Sequence, residues 1–137
     1  MSEENKAIVR RLYEEANNER ELDVLDEIMD EGVTTNTPFP ESKTGLDGFK
    51  EVYAEVHEAF PDYRITVEEQ IAEGDKVVTR FSAAGTHEGE YLGVAGTGKR
   101  IELTGTDIDR LENGKIVDHI GEASMLDVAR QLGLISA

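Results

Sequence analysis

The stretch FPDYRITVEEQIAEGDKVVTRFSAAGTHEGEYLGVAGTGKRIELTGTDIDRLENGKIVDH, residues 60–119, decides the fold. Tyr63, Ile65, Val67 and, after a polar pair, Ile71 alternate with Arg64, Thr66, Glu68 and Gln70, the period-two signature of a long half-buried strand. EGDK turns the chain into a second strand, VVTRFSAAGTH, and GVAGTGK turns it into a third, RIELTGTDIDRL. ENGK, whose Asn113-Gly114 pair is a strong two-residue hairpin signal, leads into a fourth strand from Lys115. This is a meander of long antiparallel strands.

Downstream, KIVDHIGEASMLDVARQLG (115–133) starts as a strand and ends as a helix. Ser124 stands at the join with Asp127 three residues on, an N-capping pattern, and Gly133 supplies the stop. Upstream, Phe49, Val52, Tyr53, Val56 and Phe60 share one face of a helix that Pro61 closes. Before it, Ser2 caps a helix whose stripe runs through Ile8, Leu12 and Ala16, and Leu22, Leu25, Ile28 and Met29 make a shorter helix ended by Gly32. VTTNTPFP reads as a short strand ended by Pro38 and Pro40. Helices first and strands afterwards indicate an α+β fold, a single domain over residues 1–137 with helices covering one face of a strongly bent sheet.

Composition narrows the function. Thirty Asp and Glu against fourteen Lys and Arg leave a formal charge of −16, a surface that repels nucleic acid and anionic lipid. Such a coat also suits a halophilic setting, where salt screens self-repulsion. With no cysteine there is no disulfide, thiolate metal site or thiol nucleophile. No basic apolar leader opens the sequence and no apolar run approaches the ~20 residues of a membrane span, so a cytoplasmic protein is expected.

The succession FPD, GDKV, R-F, GTH-x-GE, TGK and R-L-x-x-GKI, followed by QLG near the C-terminus, resembles the SnoaL-like polyketide cyclases of the nuclear transport factor 2-like superfamily. The resemblance implies a cone-shaped curved antiparallel sheet wrapped around the N-terminal helices and enclosing a cavity, usually in a homodimer. It also implies cofactor-free acid/base chemistry on a small molecule, an Asp serving as acid and base in an aldol cyclisation. The family's Trp after GKI falls on Ile120 here, and the Asp of the strand-to-helix join falls on Ser124. A serine cannot carry that proton unless another base activates it.

Other acids are therefore candidates. Glu122 lies two residues before Ser124 and shares its strand face; Asp107, with Asp109, lies on the preceding strand, on the face opposite Ile108. The two aspartates are solvated if Ile108 packs under a helix, and one could be the acid if their own face lines the barrel. Around an apolar pocket the sequence offers Phe39, Tyr53, His57, Phe60, Phe81 and Ile120, with Asn36, Arg80 and His87 as polar or charged groups that orient a ligand. Arg80 and Arg110 have the alternative of structural pairing with acids, Asn36 of satisfying backbone at its strand end, and His87 of fixing its hairpin. His57, His87 and His119 are too scattered for a metal site. The expectation is a cofactor-independent enzyme acting on an apolar, carbonyl-bearing substrate by cyclisation, isomerisation or hydrolysis; its rival is a binding protein of the same fold that needs no acid.

Overall fold

The computed structural model describes residues 2–37 and 43–135. Helix α1 (Ser2–Arg11) passes directly into a π-helical segment, Leu12–Asn18, and a short helix α2 (Val24–Ile28) follows. Strand β1 (Met29–Thr35), helix α3 (Gly45–Ala59), strands β2 (Arg64–Glu73), β3 (Lys76–Thr86), β4 (Arg100–Glu112) and β5 (Lys115–Ala123), and helix α4 (Met125–Gln131) complete the order. The apolar stripe expected to be one continuous α-helix therefore changes pitch at Leu12. The wider turn brings Leu12, Tyr13, Ala16 and Asn17 all onto the buried side.

The five strands form one curved, unclosed sheet in the order β1-β5-β4-β3-β2. β2 to β5 are antiparallel neighbours as the turns require, but β1 joins β5 in parallel, so the expected all-antiparallel sheet is mixed at that edge. Gly45 marks where α3 must start close to β1: its φ is +60°, and a Cβ there would run into the Glu31 carbonyl.

The helices fill the inner side of the sheet. Val9, Leu12, Leu25 and Ile28 pack with Phe49, Ile65, Val77, Phe81, Leu111 and Ile116 into the main core. A second, smaller core gathers Ala59, Phe60, Ile101, Val128 and Leu132 under α4.

One local reading of the strands changes. The polar pair in β2 is a β-bulge, the register shifting between Val67 and Glu69. Beyond it Gln70 faces inward, donating to Thr79 Oγ1 and to the Lys6 carbonyl, whereas Ile71 is 58% exposed. Ile71 thus leaves the buried row to which alternation assigned it.

Candidate active site

β4 sends Ile101, Leu103, Gly105, Asp107 and Asp109 to the inner face and Thr106 and Ile108 to the outer one. The polar residues of this strand are thereby buried, while Ile108 is 42% exposed. Of the two arrangements open at the sequence level, the structure has the aspartates' face inside.

Asp107 is the centre of the cluster. Tyr13, on the buried side of the π-helical segment, donates its hydroxyl to Asp107 Oδ2 at 2.6 Å. His119 faces it from β5, with Nε2 3.9 Å from Asp107 Oδ1. Room for the carboxyl comes from Gly121, where a Cβ would collide with Asp107 Oδ1. Burial raises the Asp107 pKa above the ordinary carboxylate value; the His119 charge and the Tyr13 hydrogen bond oppose that rise, and Asp109 adds to it.

Asp109 pairs with His119 directly across the strands, Oδ1 lying 2.5 Å from Nδ1. Burial alone would lower the imidazole's pKa, but the Asp109 charge and hydrogen bond, with Asp107 behind them, carry it up to about 9. The ring is held edge-on to Phe49 with centroids 5.4 Å apart. Asp109 Oδ2 is buried and has no hydrogen-bond partner.

Aromatic side chains surround these groups. All four tyrosines of the chain take part in the interior, with Tyr13 bonded to Asp107. Burial pushes the Tyr53 and Tyr63 hydroxyls up, and the Asp107 charge acts on both in the same direction. Tyr63 also lines an apolar chamber of about 60 Å³ with Val56, Phe60, Tyr91, Ile101, Leu103, Met125 and Val128. Phe81 covers Gly105, which lies between Leu103 and Asp107 on the inner face of β4; Leu103 lines the chamber and Asp107 does not.

The remaining candidates fall into three groups. Phe60 lines the chamber, and Phe81 and Tyr53 lie in the interior beside the cluster. His57 is bound to Asn17 Oδ1 at 2.9 Å, and burial, reinforced by Arg20, lowers its pKa to about 4, leaving it neutral. His87 is fully buried, stacked on Phe60 and joined to Thr97 through Nδ1, the hairpin-fixing arrangement. Asn36 is spent on backbone, donating to the Gly121 carbonyl and accepting from the Gly121 N–H, each at 2.9 Å.

Glu122, Arg80 and Ile120 are exposed on the outer face, so the structure takes them away from the interior. Ser124 begins α4 yet makes no side-chain cap; its Oγ instead accepts the Thr104 N–H at 3.1 Å, and Asp127 accepts from Gln131. The β-strand face shared by Glu122 and Ser124 ends where the chain leaves the sheet after Ala123. Phe39 lies outside the described residues. Among the described residues no group of three or more His, Asp or Glu is arranged to hold a metal ion.

The sequence places Tyr13 beside the apolar stripe of the first helix but gives it no chemical role, because a helical period shows that a side chain is buried and not that Asp107 lies across from it. The signal for His119 is its period-two spacing from Gly121 and its place facing Asp109 in the hairpin.

The profile of the SnoaL-like polyketide cyclases matches residues 7–132. The chain belongs to this family. TsrD from Streptomyces laurentii has the same fold with a TM-score of 0.88 and 25% identity, over 96% of this chain and 96% of that one. IdmH from Streptomyces antibioticus, a proposed polyketide cyclase, is 30% identical with a TM-score of 0.81, over 94% of this chain and 98% of its own. A SnoaL-like polyketide cyclase from Agrobacterium tumefaciens shares the fold at 22% identity and a TM-score of 0.78, over 94% of this chain and 98% of that one. No curated protein matches by sequence. No helix of this SnoaL-like chain, among its described residues, is long and apolar enough to cross a membrane.

Proposed function

We propose that this SnoaL-like domain is a cofactor-independent acid/base enzyme for apolar, carbonyl-bearing small molecules, with Asp107 as the group that moves the proton. The observation carrying the reading is a buried carboxyl on the inner face, bonded by the Tyr13 hydroxyl and faced by His119, in a core that also holds Phe81, Tyr53 and Tyr63. Burial brings such a carboxyl toward the range in which it can both accept and return a proton. It can take a proton from carbon next to a carbonyl while the tyrosine hydroxyls favour the oxygen that gains charge. Cyclisation, isomerisation and hydrolysis of carbonyl compounds share that demand, and IdmH is the relative whose proposed activity supports the first.

A substrate-independent assay tests this reading. In D2O the protein should speed deuterium incorporation next to the carbonyl of small aromatic ketones, followed by NMR. Asp107→Asn should cut that rate by about 10² to 10⁴. An unchanged rate removes Asp107 from the chemistry, and no exchange by the parent protein favours the binding-protein alternative.

The domain also fits a homodimer built on the outer sheet face. Ile71, Val78, Ile108 and Ile120 stand in direct register across β2, β3, β4 and β5, an apolar belt exposed at three of its four positions. Light scattering should give twice the 15.1 kDa chain mass, and Ile108→Asp should return it to one.

A further inference from the structure

The chamber is too small for the ligands that the acid/base reading assigns to it. At about 60 Å³ it is far below the roughly 300–1,000 Å³ of ordinary ligand pockets and smaller than the ~150 Å³ cavity that takes up benzene. An aromatic ketone enters only if a wall moves. Of its walls, Val56 and Phe60 belong to α3 or its end, and Ile101 and Leu103 to the sheet; the roof is Met125 and Val128 of α4.

α4 is attached in an unusual way. β5 ends at Ala123, paired with Gly105, so the β4 edge from Arg100 to Thr104 has no strand beside it there. Two side chains stand in for that strand. Ser124 accepts the Thr104 N–H through Oγ while its own N–H donates to the Thr104 carbonyl. Gln131 accepts the Glu102 N–H and donates to the Glu102 carbonyl, both at 2.7 Å.

A primary amide that accepts and donates at one residue copies a peptide group without being part of a strand. Both of its bonds are at exposed positions, where water can replace them. The helix is also held by the Ser124–Thr104 pair at its start, by the buried side chains of Val128 and Leu132 and by a long contact from Lys99 Nζ to the Leu132 carbonyl. Its one buried helical residue is Val128, and Met125 is 42% exposed. Irregular backbone lies at both ends: Ser124 is neither helical nor extended, and Gly133 has φ +79°.

We infer that α4 is the gate of the chamber, hinged at Ser124 and latched by Gln131 on the Glu102 backbone. With the latch released, Met125 and Val128 swing away from Phe60, Tyr63 and Ile101, and the chamber widens toward Tyr63 and Asp107. The size of the roof residues then sets which ketones are enclosed when the gate shuts. This inference rests on the chamber being the ligand site.

The test uses prodan, a neutral naphthyl ketone whose emission shifts in apolar surroundings, mixed with the protein by stopped flow. If gate opening limits entry, the observed rate reaches a plateau as prodan is raised. Gln131→Ala should raise that plateau about tenfold, and Gln131→Glu, which keeps the acceptor but loses the donor, should fall between the two. Amide exchange should quicken along α4 and stay unchanged in β3, which separates release of the gate from general loosening. A rate that rises linearly without a plateau and is equal in all three proteins overturns the gate while leaving the chamber as a ligand site. Failure of every protein to take up prodan overturns both.

Discussion

The two faces of the sheet at β4 and β5 invert the usual distribution. Inside, at successive inward positions, stand Asp107 and Asp109 opposite Gly121 and His119; outside, on the same strands, stand Ile108 and Ile120. An aspartate buried without compensation is costly, and an isoleucine left in water gains nothing from folding. Each face therefore needs something further. The inner acids are compensated by Tyr13 and His119 within the chain, whereas the outer isoleucines stay 42% and 43% exposed. The inner face carries the paired polar groups and the outer one the exposed apolar row.

That contrast can be broken most severely at Gly121. Gly121→Val places a branched side chain where the Asp107 carboxyl lies, and should cost about 3 kcal/mol in chemical denaturation together with the exchange activity. Full stability in that variant would mean that Asp107 does not need this space.

The charged interior should appear next in the dependence of stability on pH. The His119 pKa is raised in the folded state from 6.5 to about 9, so its stabilisation is complete below about pH 6.5 and lost as pH rises through 9. Asp107, also raised by burial, has the same sign, but its loss begins as pH rises above the ordinary carboxylate value of 3.8, so the window from 6.5 to 9 belongs to His119. Melting temperatures from pH 6 to 10 should fall across that window, and His119→Gln should flatten the upper part of the decline. An equally steep decline in His119→Gln would locate its cause elsewhere.

The smallest effect belongs to the outer face. Glu122→Gln should change stability by less than about 0.5 kcal/mol and leave ketone exchange within about twofold, since its carboxylate lies in solvent across the sheet from the chamber. A large loss of exchange there would join the outer face to the chemistry and end the contrast.

Much of the architecture was legible from short-range patterns. Asn113-Gly114 fixed a hairpin, the Phe49–Phe60 spacing fixed α3, and the period-two runs fixed β2 to β4. The family motifs are likewise local. Legibility stopped where local pattern and environment part. The β2 bulge moves Ile71 to the other face, the packing of the first helix on β4 sets Tyr13 against Asp107, and Ser124 meets the β4 edge instead of capping its helix.

The sequence by itself determined the α+β order, the acidic surface, the lack of thiol chemistry and the short set of residues able to move a proton. It left the choice among Glu122, Asp107 and Ser124 open, because period two states which residues share a face and not which face is covered. Only the tertiary structure showed which face is covered, by placing α1, its π-helical end and α3 over the odd-numbered side of β4. The same packing excludes water from Asp107 and gives its carboxyl the raised proton affinity that its position in the sequence could not reveal.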